Sequence, residues 1–273
     1  MSKLNGYALI VGEEGAPHLK ILNDLCNSHS LQFIEKNLNL KNKRILDIGC
    51  GIGILSTEFA ARCLPNGSVT AIDASEDQLK IAKKIAEEAN ITNIKFLNIS
   101  AVNNDQVNEK FDLIYCRFVL HHLHYPNDAI NKMTSLMHPE SILIIEEPED
   151  LESMFCDPPE PIFNTWKNLA FKQLEDYKRN FSLGRDLRTL FSQNNLETMQ
   201  SSTVQPIIDT PYLKQLLWKS IEEISTLLTQ RGFSTTAQIT DFIQNLKMFA
   251  ENSKSKIGYL KYTQIAARKW GVK

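Results

Sequence analysis

Apolar residues along this chain fall into short unbroken runs separated by helical stripes. Ile45, Leu46 and Ile48 make the first run, the pattern of a buried strand. A helical pattern follows from Ile54 to Ala61, and Ser68–Asp73 predicts a second strand. Ser75, with Gln78 three residues on, predicts a capping box, and Leu79, Ala82, Ile85, Ala86 and Ala89 give the buried stripe of the helix behind it. Ile94–Ile99 alternates as a third strand, Phe111–Cys116 reads as a fourth and Ile142–Ile145 as a fifth. Between the last two, a helix starts at Pro126 and Asp128 and runs through Ile130, Met133 and Met137. Upstream, Leu19, Leu22 and Leu25, then Leu31, Ile34 and Leu38, predict two helices. Downstream, residues 151–180 are irregular, with Pro158, Pro159 and Pro161 among Phe155, Phe163, Trp166 and Phe171. Gly184–Leu187 opens a helix, Glu197–Ile208 predicts a sixth strand, Pro211 to Ala250 is helical, and Tyr259–Ala266 closes as a final strand. On this reading residues 1–43 are an N-terminal helical cap or lid and 44–150 an α/β core. Residues 151–180 are a cover segment, and 181–273 the C-terminal part of the core with a helical insertion at about 211–250.

The first strand leads into Gly49, Gly51 and Gly53 and then into a helix. A strand feeding a glycine-rich turn and a helix is a nucleotide cradle, because glycine bends tightly and lets a ligand approach the backbone. The second strand ends in Asp73, placed to accept both hydroxyls of a ribose. A dinucleotide fingerprint requires a third glycine at position 54, which is Ile54.

The run Leu46–Gly53 resembles the first motif of the class I S-adenosylmethionine (SAM) methyltransferases, and with Asp73 and the later segments the resemblance spans most of the chain. It implies an α/β fold with a doubly wound, mostly parallel seven-stranded sheet, an antiparallel C-terminal hairpin and added helical cover segments. It implies SAM as cofactor and S-adenosylhomocysteine (SAH) as product. Carried over position by position, Asp47, Gly49, Cys50, Gly51 and Gly53 lie at the amino-acid end of SAM, and Asp73 with Ala74 at the ribose. Ser100 and Ala101 border the adenine, where the family more often has an acid, and Arg117 and Phe118 line the methyl end. Gly12–Leu19 is similar to a G-x-E-G-x-x-R-L opening found in some small-molecule members, with His18 in the arginine position. The D/N-P-P-Y tetrad of many enzymes that methylate planar nitrogens is missing after the fourth strand. Asp157–Glu160 lies elsewhere and lacks the aromatic residue. Oxygen or carbon is therefore the expected methyl acceptor.

His121 and His122 are the candidate bases, since imidazole titrates near neutrality. Neighbours on a helix point about 100° apart, so one of the two is expected to face the pocket; the alternative is that both are packing residues. Arg117 reads either as an ion-pair partner or carboxylate clamp, or as a structural residue. Glu146, Glu147, Glu149 and Asp150 read as a solvated acidic turn, or with Glu146 or Glu147 turned into the substrate pocket. No His/Cys/Asp/Glu spacing suggests a metal. The net charge of −2, without a basic cluster, argues against a nucleic-acid partner. Five cysteines without C-x-x-C spacing or a signal peptide fit a reducing cytoplasm. No apolar run approaches a membrane span. The expected activity is methyl transfer to a small molecule. The rivals are a methyltransferase acting on protein or RNA and a SAM-binding protein without catalysis.

Overall fold

The computed structural model describes residues 12–102, 106–176 and 180–271. The first part of the N-terminal stretch read above as lid or cap, residues 1–11, lies outside them. In chain order the elements are α1 (Ala16–Asn37), β1 (Arg44–Ile48), α2 (Ile54–Arg62), β2 (Ser68–Asp73), α3 (Glu76–Glu88), β3 (Ile94–Asn98) and β4 (Phe111–Arg117). A single 3-10 turn, Leu120–His122, precedes α4 (Pro126–Ser135), β5 (Met137–Asp150), β6 (Phe155–Asp157), α5 (Pro161–Asp176) and α6 (Leu183–Gln193). The chain closes with β7 (Leu196–Val204), β8 (Ile207–Ile208), α7 (Pro211–Gln230), α8 (Thr236–Ala250), β9 (Lys256–Gly258) and β10 (Lys261–Lys269).

Seven strands form one sheet in the order β3-β2-β1-β4-β5-β10-β7. The first five run parallel, and β10 lies antiparallel between β5 and β7. Ile45, Leu46, Ile48, Ile114 and Ile144 are fully buried, as central parallel strands covered on both faces require. Alternation along the strands divides them between two clusters. Leu46, Ile48, Ile114 and Ile265 pack with α4 and α6, while Ile45, Leu113, Ile144 and Ala266 pack with α2 and with Phe33 and Ile34 of α1. A third cluster joins Ile21, Leu25 and Cys26 of α1 to α5, α7, α8 and Tyr262. The small antiparallel sheet β6-β9-β8 contributes Cys156, Ile208 and Ile257 to that cluster.

Several elements differ from the sequence reading. The N-terminal region is one helix of 22 residues rather than two. Between the two predicted stripes, Asn27 and Ser30 bond Arg117 and Glu146 of the sheet, and the helix continues through them. Residues 151–180 contain β6 and α5, whose proline at the first helical position costs no hydrogen bond. α4 stops at Ser135, and Met137 already belongs to β5. That strand runs 14 residues to Asp150, so Glu146 and Glu147 are fully buried strand residues and not a solvated turn. The sixth predicted strand ends at Val204, and Ile207–Ile208 turns into the second sheet. The helical stretch after Pro211 is two helices; Thr210 caps the first, and a Thr235–Gln238 capping box starts the second.

Candidate active site

The crevice between β1 and β4, where the strand order reverses direction, is the switch point of the sheet, and ligands of open α/β folds bind there. The amides of Gly49 and Cys50 both donate to the Ile72 carbonyl, at 2.8 and 3.0 Å, which ties the glycine turn to the end of β2. Gly49 and Gly53 have φ of +71° and +72°, the left-handed region. A Cβ on Gly49 would lie 2.2 Å from Val119 Cγ2, and one on Gly53 2.6 Å from Ala82 Cβ. Protein side chains, rather than room for a ligand, are what these two positions answer to. At Gly51 a Cβ would find ordinary room, 3.7 Å from Leu19 Cδ1 of α1.

The Gly51 amide donates to Asp73 Oδ2 at 2.9 Å and the Ser75 amide to Oδ1 at 2.8 Å. Each oxygen thus accepts one bond and retains a second acceptor position. Burial pushes the Asp73 carboxyl up, and the two amides pull it back. Ala74 is exposed beside it. Asn98, which the sequence reading passed over, donates from Nδ2 to the Asp73 carbonyl at 3.0 Å. Asp47 is only 4% exposed and receives the Ser56 hydroxyl, so it braces the start of α2. Burial pushes its carboxyl up to about 6, against the Ser56 bond. Cys50 is half-buried, and burial raises its thiol. α2 begins without a side-chain cap, so its first amides remain as donors beside the turn. At the end of β3, Ser100 is half-buried with its Oγ 3.4 Å from the Val102 amide, while Ala101 packs into the core.

Past β4 the backbone turns sharply. Phe118 has φ of +56°, a left-handed conformation that costs a side-chain residue about 1–3 kcal/mol and needs local support. Glu147 supplies that support. The amides of Val119 and Leu120 donate to its Oε1 at 2.9 and 2.7 Å, and the His121 amide to Oε2 at 3.3 Å. His121 Nδ1 lies 2.7 Å from Oε2, so this pair holds a proton between them. Burial pushes the Glu147 carboxyl up to about 8, and the three amides oppose it. The His121 and His122 rings lie 3.8 Å apart, so the two do not diverge as a helical wheel suggested. His121 is 4% exposed and packs on Phe181 at 4.6 Å.

Arg117 points from β4 to α1. Its Nη1 donates to Ser30 Oγ at 2.9 Å, and Nη2 donates to the Oδ1 atoms of Asn23 and Asn27 at 2.9 and 2.8 Å. The Ser30 hydroxyl in turn donates to Glu146 Oε2 at 2.8 Å, and Gln264 Nε2 donates to Glu146 Oε1 at 3.0 Å. Burial raises the Glu146 carboxyl, and the Arg117 guanidinium lowers it. Asn23, Asn27 and Ser30 fall at helical spacing, one polar row on the face of α1 that meets β4. The Phe118 ring meets Tyr262 edge-on at 5.2 Å, where the third cluster begins. At the other end of α1, His18 Nδ1 lies 2.8 Å from Glu223 Oε1 of α7.

A family profile described as a methyltransferase domain matches residues 39–201, more than half of the chain. The chain belongs to that methyltransferase family. The segment shared with the family starts after α1 and ends within β7, so Asn23, Asn27, Ser30, Glu223 and Gln264 lie outside it. This methyltransferase-domain chain is 34% identical over 116 residues to a ubiquinone biosynthesis O-methyltransferase of Coxiella burnetii (strain Dugway 5J108-111), covering 42% of this chain and 47% of that protein. It thus spans about half the length of the curated relatives it matches. Its fold is shared with the [4+2]-cyclase SpnF, at TM-score 0.56 and 18% identity over 98% of this chain and 86% of that one. It is shared as well with coclaurine N-methyltransferase bound to N-methylheliamine and SAH, at TM-score 0.54 and 13% identity over 98% and 75% of the two chains.

Proposed function

We propose that this chain is a SAM-dependent methyltransferase that moves a methyl group to an oxygen or carbon of a small molecule. Asp73 carries the reading. Its carboxylate is oriented by the Gly51 and Ser75 amides and keeps an acceptor position on each oxygen, as two ribose hydroxyls require. The glycine turn and the uncapped start of α2 suit the carboxylate end of SAM. Ser100 and Ala101 border the adenine in this assignment. SAM, when bound, supplies a sulfonium methyl for in-line displacement. The residues around it align the acceptor and exclude water, worth on the order of 7–11 kcal/mol in favourable cases. Leu19, Phe118 and Val119 are assigned to that exclusion, and Arg117 to fixing α1 over the site.

A hydroxyl acceptor must lose a proton as it is methylated. We assign that proton to His121, whose ring Glu147 orients, with the His122 ring tilted against it. Oxygen comes first because the Coxiella burnetii relative is named an O-methyltransferase. A fold shared with a cyclase does not by itself specify the reaction, so the argument rests on the site. The aromatic-rich cluster beneath the cover favours a small acceptor over protein or RNA. Among the described residues no helix is long and apolar enough to cross a membrane. All five cysteines are unbridged, which favours a cytoplasmic setting. Calorimetry with SAM, SAH and NAD tests the assignment. Micromolar SAM or SAH binding, about −8 kcal/mol, with no NAD binding is expected. NAD binding without SAM binding would overturn it.

A further inference from the structure

We infer that Glu223, beside His18, reads the methyl acceptor by receiving a protonated amine on it. The inference rests on the small-molecule methyltransferase reading above. The Glu223 side chain is 7% exposed. One oxygen, Oε1, lies 2.8 Å from His18 Nδ1 without hydrogen-bond geometry. The other, Oε2, is out of contact with solvent and accepts no hydrogen bond among the described residues. Buried acceptors in folded proteins are almost always paired, and a buried charge with an unused oxygen is costly. Nothing among the described residues satisfies Oε2, and its partner, which must be a donor, is assigned here to a bound molecule.

The surroundings narrow its chemistry. Tyr259 is within electrostatic reach of Glu223 and of Cys26, and Tyr262 joins Cys26 to the Phe118 ring. Phe118, Tyr259 and Tyr262 share the apolar cluster that contains Ile221 and Ile224 on either side of Glu223. On the α1 side, the residue after His18 is Leu19, which rests over Gly51. Glu223 thus borders the same aromatic-rich cluster that Phe118, at the turn after β4, packs against. A carboxylate among aromatic faces suits an ammonium group. A protonated amine has no lone pair, so held on Glu223 it anchors the molecule and is not itself methylated. The methylated atom then lies at the Phe118 end, with an aromatic spacer between. The ligand class is an arylalkylamine.

The test uses tyramine and 4-ethylphenol, which differ by the amine, on wild type and Glu223→Gln, with and without SAH. Tyramine should bind wild type and bind Glu223→Gln at least about tenfold more weakly, the loss of one charge-assisted contact. 4-Ethylphenol should not distinguish the two proteins. The free variant should melt at or above the wild-type temperature, because a poorly satisfied buried charge has been removed. Tyramine binding equally to both proteins, or to neither, overturns the inference. So does a variant that melts several degrees lower, which would make His18–Glu223 a structural staple. SAH titrated into the same samples separates the two failures. If SAH binds neither protein the methyltransferase reading falls, while the tyramine contrast without SAH still judges Glu223.

Discussion

Replacing Glu147 with alanine should unfasten the turn after β4. The carboxylate accepts three consecutive amides, those of Val119, Leu120 and His121, and meets His121 Nδ1, all in a fully buried setting. A buried polar group left unmade costs about 1–3 kcal/mol. Partial relaxation of the turn lowers the sum for four such groups to roughly 3–5 kcal/mol. At about 2 °C per kcal/mol for a chain of this size, the melting temperature should drop about 6–10 °C. Glu147→Gln keeps one acceptor oxygen but sets an NH2 group against donors, and it should fall between wild type and alanine. The strained Phe118 loses its support in both variants, and Val119 no longer presses on Gly49, so SAH affinity should fall together with the melting temperature. Differential scanning calorimetry and SAH titration measure both. An alanine variant melting within about 2 °C of wild type would show that the turn is held by something other than Glu147.

Asp73→Ala should stay folded and lose about 1.5–3 kcal/mol of SAH affinity, read by calorimetry; unchanged affinity removes Asp73 from the site. Burial raises the Asp47 and Glu147 carboxyls to about 6 and about 8. A raised carboxyl stabilises the fold while protonated, so this contribution is complete below about pH 4 and is lost as the pH climbs through the folded values. Urea midpoints should therefore fall between about pH 5 and pH 8, and a flat profile would contradict the assignment. Hydrogen exchange addresses lid against cap: amides of residues 13–19 should gain protection when SAH is added, and full protection in the free protein would make the segment a fixed cap.

The glycine turn and Asp73 were legible because their geometry is imposed locally, by three left-handed positions and a strand end. Glu146 and Glu147 were not. Four carboxylates in five residues read as a solvated turn, yet the Ser30 donor to Glu146 lies 116 residues away in sequence. The same distance hid the meaning of Asn23, Asn27 and Ser30, whose partner Arg117 lies some 90 residues on in the sequence. Val119 pressing on Gly49 and Ala82 on Gly53 explain those glycines through contacts that periodicity does not register.

Because α1 shares residues with two separate apolar clusters, Ile21, Leu25 and Cys26 in one and Phe33 and Ile34 in the other, grafting is constrained. Transplanting α7 and α8 from another methyltransferase, to recruit its acceptor, would leave α1 shaped for the old partner on one flank. Redrawing α1 to match would disturb the Asn23–Asn27–Ser30 row that meets Arg117 on the other flank. New specificity in this chain therefore has to be designed as a paired exchange, α1 together with α7, around an unaltered Arg117.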